Sequence, residues 1–220
     1  ELGIKQGFKI GSWMGFADVA GFYTQYKDMM EFNFGIHLPP DSTIQQVGIG
    51  ALNYLGFKSI NVGTARISGI DISIMGQGKI GNIDSRIILG YTYMNPIQVN
   101  PDSAIEVNLS GHTNTLKYRY RKSFKFDFEN SYKRFTIGNT ILYNSFMQNI
   151  DEVFANTKPT QNGLGVLFEA GSQLPSSITS FREKYNKGTI VWDLRLSYQM
   201  HKNIKAAFII KNMLNRVYAE

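Results

Sequence analysis

From Leu116 to Glu129 the chain alternates without a break. Leu116, Tyr118, Tyr120, Lys122, Phe124, Phe126 and Phe128 hold one parity, and Lys117, Arg119, Arg121, Ser123, Lys125, Asp127 and Glu129 the other. Alternate residues of a strand point to opposite faces, so this pattern predicts a strand with one aromatic face and one charged face. A helix would scatter the same residues around its axis. Tyr132-Lys133-Arg134 reads as a short turn, after which Phe135, Ile137, Ile141 and Tyr143 resume the apolar face. The stretch from Thr115 to Asn149 is therefore predicted to be one long hairpin. Its first arm, at about 15 residues, exceeds both the usual strand of about 5–6 and the 9–11 or so that cross a bilayer.

The same alternation recurs along the chain. Leu2, Ile4, Phe8 and Ile10 alternate with Gly3, Lys5, Gly7 and Lys9 before a turn at Gly11-Ser12-Trp13. Residues 18–34 read as a strand with mixed phase. Residues 57–78 read as a third, with Ile70, Ile72 and Ile74 against Asp71, Ser73 and Gln77. Arg66 falls on the apolar parity, so either a bulge at Gly69 shifts the phase or that end stands in water. Beyond a turn at residues 79–82, Ser85, Ile87, Leu89, Tyr91 and Tyr93 lead to Asn95-Pro96, where the strand should end. Trp192, Leu194, Leu196, Tyr198 and Met200, then Ile204, Ala206, Phe208 and Ile210, give the last two strands. Short turns near Ser12, Ile80, Lys133 and Lys202 alternate with long connections over 35–56, 97–114 and 150–187. About eight strands with this rhythm predict an all-β, antiparallel transmembrane β-barrel, its short turns periplasmic and its long loops extracellular. Soluble sandwiches have short strands and lack that asymmetry.

Composition agrees with this picture. Charged residues make up 18% of the 220, below the roughly 25% of soluble domains. No run of apolar residues is long enough for a membrane helix, and a mean hydropathy of −0.20 suits a barrel whose strands face water on one side. Cysteine is absent, which removes disulfides and thiolate metal sites. The net charge of +6 is spread over strand faces rather than run together, which argues against nucleic acid as a partner.

Few residues carry chemistry. Gly76-Gln77-Gly78-Lys79-Ile80-Gly81 matches the dinucleotide fingerprint, but a strand follows where a helix is required, so a hairpin turn is the better reading. His37, His112 and His201 lie apart, without ligand spacing. Asp71, Asp84, Asp127 and Asp193 most simply face Lys and Arg across a lumen wall, and no nucleophile spacing appears. No catalytic group, cofactor or metal is expected. Lys117, Arg119, Arg121 and Lys125 form a basic stripe predicted to face the lumen. The stripe either attracts an anionic ligand or, more plainly, pairs with Asp84, Asp127, Glu129 or another part of the protein. Trp13, Trp192, Tyr91, Tyr93, Tyr118 and Tyr143 read as girdle or lipid-facing residues. Stacking on a ligand better suits Phe154, Phe168, Phe181 and Tyr185 in the longest loop, with Arg182 beside them as a further ligand-facing candidate.

Several stretches together resemble the barrel of TonB-dependent outer-membrane receptors. Asn61-Val62-Gly63-Thr64-Ala65-Arg66-Ile67-Ser68-Gly69-Ile70-Asp71 is similar to the family's N-x-G-x-A-x-x-x-G-(I/V/F)-E strand, with Asp71 in place of Glu. Leu89-Gly90-Tyr91-Thr92-Tyr93 resembles another of its strands. Asp193-Leu194-Arg195-Leu196-Ser197-Tyr198 and Ile210-Lys211-Asn212-Met213-Leu214-Asn215-Arg216-Val217-Tyr218 resemble its closing blocks. Asp28-Met29-Met30 also fits, and the style resembles receptors of the Bacteroidetes type more than enterobacterial ones. The resemblance implies residues 1–220 as a C-terminal portion of a barrel of about 22 strands, roughly strands 14 to 21, without plug domain or last strand. It also implies gated import of a scarce solute, such as a siderophore, glycan or peptide, with no covalent chemistry. The partners it implies are outer-membrane lipid, the remaining strands and plug, the inner-membrane TonB complex and a surface lipoprotein. Two other readings compete: a self-contained small barrel serving as anchor or adhesin, and an outer-membrane enzyme, for which no nucleophile set is present. The first predicts pairing between the strands at Ile4 and Phe208; the receptor reading predicts that both are sheet edges.

Overall fold

The computed structural model describes residues 1–47, 50, 53–99, 113–151 and 181–218. Eight strands form one antiparallel sheet: β1 (Leu2–Ile10), β2 (Trp13–Tyr26), β5 (Thr64–Ile80), β6 (Ile83–Val99), β7 (Lys122–Tyr132), β8 (Phe135–Asn144), β9 (Thr189–His201) and β10 (Ile204–Ile210), in that spatial order. β3 (Met30–Ile36) and β4 (Leu55–Asn61) pair separately, joined through a connection that holds the short helix α1 (Ile44–Val47). The first and last strands, β1 and β10, are the two edges of the large sheet, as the receptor reading requires.

Register carries one face across all eight strands, with one shift between Ile204 and Lys205 at the start of β10. One outward row runs Ala17, Ile74, Leu89, Phe126, Ile141, Trp192. The next runs Val19, Ile72, Tyr91, Phe124, Tyr143, Ile190. Near the short-turn end a row runs Ile80, Ile83, Tyr132, Phe135, Tyr198, with the Phe135 and Tyr198 rings 4.6 Å apart. From Tyr132 to Phe124 this band runs about 26 Å along the strand, which at a tilt of about 40° is about 20 Å of height and fits within the apolar belt of about 25 Å on a transmembrane barrel. Ile4, Ile137 and Phe208 on this face are exposed, which is costly in water and favourable in lipid. Outward polar groups satisfy one another: Ser85 Oγ donates to Asn130 Oδ1 at 2.7 Å, and Trp192 Nε1 donates to Asn139 Oδ1 at 3.2 Å. The opposite parity holds Lys5, Asp18, Asp71, Asp84, Arg86, Lys125, Asp127, Glu129, Asp193 and Arg195.

The four tight turns fall where the alternation predicts them. Each joins its strands through two residues, and Gly11, Gly81 and Lys133 open theirs with φ of 60°, 59° and 54°, the sign that tight hairpins require. The glycine run at 76–81 is thus strand and turn. β5 and β6, at 17 residues each, span roughly 55 Å against a hydrocarbon core of about 30 Å, so their upper ends stand clear of the bilayer.

Four expectations require correction. The arm at 115–121 is not strand: β7 begins at Lys122, Tyr118 has φ 54°, and Thr115 makes an isolated bridge to Ile97. The expected strands at 18–34 and 57–78 are each broken once. Asp28 (φ 53°) and Gly63 (φ 71°) kink β2/β5 into β3/β4 with the register kept, Tyr26 opposite Ala65 below and Met30 opposite Asn61 above. No bulge occurs at Gly69, where pairing runs through unshifted on both sides. A Cβ there would lie 2.1 Å from the Tyr93 carbonyl oxygen and 2.6 Å from the Phe22 ring, so close packing explains the glycine. Arg66 keeps the outward parity because its end of β5 lies above the apolar belt. Finally, β6 continues through Pro96 to Val99. The Met94 and Gln98 N–H groups reach residues 121 and 114, so position 96 directs its nitrogen to the side that β7 has left, where proline loses no ladder bond.

Candidate functional site

Two polar constructions stand out, one on the inner wall and one beneath the long connections. On the wall, Arg195 of β9 crosses β8 to Asp127 of β7. Its Nη2 lies 3.0 and 3.2 Å from the two carboxylate oxygens, and its Nη1 donates to Thr140 Oγ1 at 2.8 Å. Thr140 in turn donates to Asp127 at 2.7 Å. The crossing depends on Gly138, opposite Arg195 in register. A Cβ at Gly138 would stand 3.0 Å from the guanidinium nitrogens. Nearby, Thr92 donates to Asp71 at 2.6 Å, and Lys79 pairs with Asp84 at 3.6 Å in an exposed bridge. Three of the four aspartates thus work as wall partners. The fourth, Asp193, accepts the Asn212 N–H at 2.7 Å.

That last bond anchors the closing block. Asn212 and Asn215 take positive φ, 50° and 46°, which asparagine tolerates better than other side chains. Asn212 also bonds Arg216 in both directions, Nδ2 to the carbonyl and Oδ1 from the N–H, each at 2.9 Å. Met213 N–H donates to the Trp192 carbonyl at 2.7 Å. Residues 211–218 therefore fold as a turn against β9.

The junction above the wall joins 113–121, 145–151 and the β3/β4 hairpin. Lys117, 3% exposed, pairs with Asp151, 1% exposed. The Lys117 ammonium also donates to the Phe32 carbonyl at 3.0 Å and to Asn33 Oδ1 at 3.2 Å, which uses its three protons. The second Asp151 oxygen accepts from Tyr118 Oη at 2.8 Å. Burial pushes the Tyr118 phenol up to about 12, with the adjacent carboxylate adding to the shift. Asn149, buried, donates to the Thr115 carbonyl at 2.6 Å and to Thr113 at 3.1 Å. Half-buried Glu31 is raised from 4.5 by burial, against the pull of Lys117 and Arg119. Arg182 caps the junction, donating to the Met147 and Gln148 carbonyls at 3.1 and 3.3 Å with its guanidinium 4.5 Å from the Phe146 ring centre. Its pKa is lowered, first by burial.

The basic stripe does not hold together. Lys117 is committed to Asp151. Arg119 donates to its neighbour's carbonyl at 3.4 Å and acts electrostatically on Glu31. Arg121 turns to the outer face, donating to Asn95 Oδ1 at 2.8 Å and Tyr93 Oη at 3.4 Å. Lys125 alone stands on the inner wall, opposite Gly90 and Leu142. Of the partners expected for the stripe, Asp127 is bridged by Arg195, with Lys125 attracting it at longer range, and Asp84 is bridged by Lys79. Tyr118 is no girdle residue, whereas Trp13, Tyr91, Tyr93, Tyr143 and Trp192 do occupy the outer parity. Tyr185 packs against Phe181 with ring centres 4.8 Å apart and planes tilted by 40°. Phe154, Phe168 and His112 lie outside the described residues. Asp151, Asn149 and Asn33 were not singled out by sequence, because no periodicity marks a buried polar residue in an irregular segment.

An open sheet of this kind, lipid-facing on one side and polar on the other, defines a wall segment of a transmembrane β-barrel. The chain matches the family described as TonB dependent receptor-like, beta-barrel, over residues 1–213, and it belongs to that family. Among solved structures it is similar to the copper transporter OprC, at 14% identity with a TM-score of 0.52, covering 99% of this chain and 25% of that one. That likeness bears on the fold. The chain spans about a quarter of the OprC chain. No curated protein matches. Among the described residues no group of three or more His, Asp or Glu is placed to hold a metal ion.

Proposed function

We propose that residues 1–220 are the C-terminal portion of the barrel of a TonB-dependent outer-membrane transporter. In this reading the intact protein binds a scarce solute at its outer face and imports it when the inner-membrane complex acts on its plug. The solute is of siderophore, glycan or peptide type, and a surface lipoprotein is a further partner. The observation that carries the reading is the unshifted register from β1 to β9, continued in β10 beyond Ile204, which keeps lipid-facing and polar parities apart across eight strands whose two edges remain unpaired with each other. A wide barrel accommodates the inward row of long charged side chains, and further strands would complete both edges. Arg119, Lys125, Arg182 and Tyr185 are the ligand-facing candidates that remain; Phe168 joins them from the sequence alone.

The chemistry asked of the protein is binding and gating. Lys125 and Arg119 favour an anionic solute by long-range attraction, and the Phe181–Tyr185 pair offers an aromatic surface to a ring or sugar face. Deleting the native gene should abolish uptake of one solute, and a protonophore should mimic the deletion. Uptake that survives both treatments, in cells lacking related receptors, would remove the transport reading. The self-contained small barrel is disfavoured by the position of β1 and β10 at opposite edges.

A further inference from the structure

We infer that the lumen side of this wall carries a binding site for an α-amino acid with an apolar side chain, in the cleft between the β8–β9 ladder and the closing turn at 211–218. The inference rests on the reading of the sheet as the wall of a transporter, and of the solute types above it selects the peptide class at its smallest unit. Leu142 of β8 stands opposite Val191 of β9, and Asn144 opposite Thr189. Both pairs share the inner parity of Thr140 and Asp193, so they face the lumen. Asn144 ends β8 and Thr189 begins β9, which places the pairs at the outer end of the wall, where a solute arriving from outside meets it. The closing turn packs against β9 here, held by the Asn212 and Met213 N–H groups on Asp193 and on the Trp192 carbonyl. Between wall and turn lies a cleft of about 230 Å³, with Lys211 and Tyr218 lining it from the turn and Tyr120 from the junction. That is the volume of about eight waters at roughly 30 Å³ each, the size of one amino acid.

The lining divides into an apolar floor and polar groups with spare bonding capacity. Leu142 and Val191 supply the floor. Around them, the side chains of Asn144, Thr189, Lys211 and Tyr218 make no hydrogen bond or ion pair among the described residues. Asp193 gives one carboxylate oxygen to the Asn212 N–H and keeps the other. The cleft thus presents one carboxylate and one ammonium that do not pair with each other. A ligand bearing both charges satisfies both at once, its ammonium on Asp193 and its carboxylate on Lys211 and the Asn144 amide. Such charge-assisted bonds are stronger than neutral ones, and complementary charges fix the ligand's orientation. The Thr189 and Tyr218 hydroxyls accept the remaining ammonium protons. The apolar side chain then lies on Leu142 and Val191, out of water. A simple anion would be opposed by Asp193, a metal ion would meet Lys211, and a sugar would set hydroxyls against the hydrocarbon floor.

The test titrates the intact receptor, purified in detergent, with leucine by calorimetry. Leucine should bind. Isoamylamine, which lacks the carboxylate, and isocaproate, which lacks the ammonium, should each bind about tenfold more weakly, the scale of one lost bond to a charged group. Lys211→Met should weaken leucine about tenfold and leave isoamylamine unchanged, because that ligand has nothing for Lys211 to hold. Lys133→Gln, in a tight turn at the other end of the wall, should change neither. If Lys211→Met lowers the folded fraction, Thr189→Val gives the second comparison, weakening leucine and isoamylamine alike while leaving isocaproate unchanged. No leucine binding by the folded native receptor would overturn the site, as would equal leucine binding by native and Lys211→Met receptor, or tighter binding of glucose than of leucine. Leucine binding with the expected pattern, in a receptor whose deletion leaves leucine uptake intact, would uphold the site and remove the transport reading instead.

Discussion

The wall and the junction above it use opposite rules for hiding groups. On the wall, large apolar side chains such as Ile4, Phe135, Ile137 and Phe208 stand exposed, because lipid is their solvent and needs no protein to cover them. In the junction Val62, Ala65, Leu116 and Ile150 are buried in protein, and so are Asn33, Gln98, Thr115, Lys117, Asn149 and Asp151. Seen from water, the core of this chain therefore lies outside the bilayer. The wall achieves order by repetition: a ladder and a two-residue period suffice. The junction has irregular backbone and must satisfy its polar groups one at a time, by side chains that reach across 33 to 85 residues of sequence. A mutation in the wall should therefore be judged by which parity it strikes, and one in the junction by which partner it orphans.

The largest expected effect is in the junction. Lys117→Met leaves Asp151 charged and buried without its partner, a loss of about 3–5 kcal/mol. Hydrogen exchange should rise across 113–121 and 145–151 while the wall stays protected, and Lys117→Met with Asp151→Leu should recover much of the loss. Uniform loss of protection over wall and junction would show that the two are one cooperative unit.

On the wall the sharpest contrast is between neighbours. Leu196→Arg places a cation towards lipid at a cost of roughly 2–4 kcal/mol, whereas Ser197→Arg faces the lumen and should fold. The proportion of heat-resistant folded barrel after reconstitution measures both. Gly138→Ala is smaller. Its methyl group pushes Arg195 off Asp127, and because that pair is partly solvated the cost is about 1 kcal/mol. Arg195→Ala should erase most of the further effect of Gly138→Ala.

The smallest effect is a pH dependence confined to the junction. Burial raises the carboxyl of Glu31 above 4.5 in the folded protein. The folded form therefore holds a proton that the unfolded form releases first, and stability contributed below 4.5 is lost as pH rises through the folded value. Glu31→Gln should slow proteolysis of the junction at neutral pH and change little in acid. A faster cleavage of the variant at neutral pH would contradict the sign.

What was legible in the sequence follows the same division. Phe124, Phe126 and Phe128 against Lys125, Asp127 and Glu129 revealed the wall because lipid and water impose their preference at every second residue. The tight turns were visible for the same reason, as interruptions of a period. Alternation then misled at Leu116–Arg121, where the pattern persists but the backbone does not: Lys117 is drawn inward by Asp151, and Tyr118 takes positive φ. A period shows that two faces differ, not that each residue in the run shares the strand. The kink at Asp28 and Gly63 was hidden because the register survives it. The Arg195–Asp127 crossing required knowing that Gly138 lies between them, which only strand pairing supplies. Asn212 and Asn215 were visible as a motif, and their role became physical once their positive φ and the bond to Asp193 were seen.

The central claim is that strand pairing sets a lipid face and a water face across the sheet and that in β7 this two-faced pattern begins only at Lys122. Spin labels placed singly at each residue from 115 to 132 of the intact receptor in bilayers test it directly, by accessibility to oxygen and to a water-soluble nickel chelate. From 123 to 132 the two accessibilities should alternate out of phase, oxygen highest at Phe124, Phe126 and Phe128 and the chelate highest at Lys125, Asp127 and Glu129. From 115 to 121 the alternation should vanish, with Leu116 and Lys117 both shielded from either reagent. Alternation that runs unbroken from 115, or none at all from 123 to 132, would contradict the account.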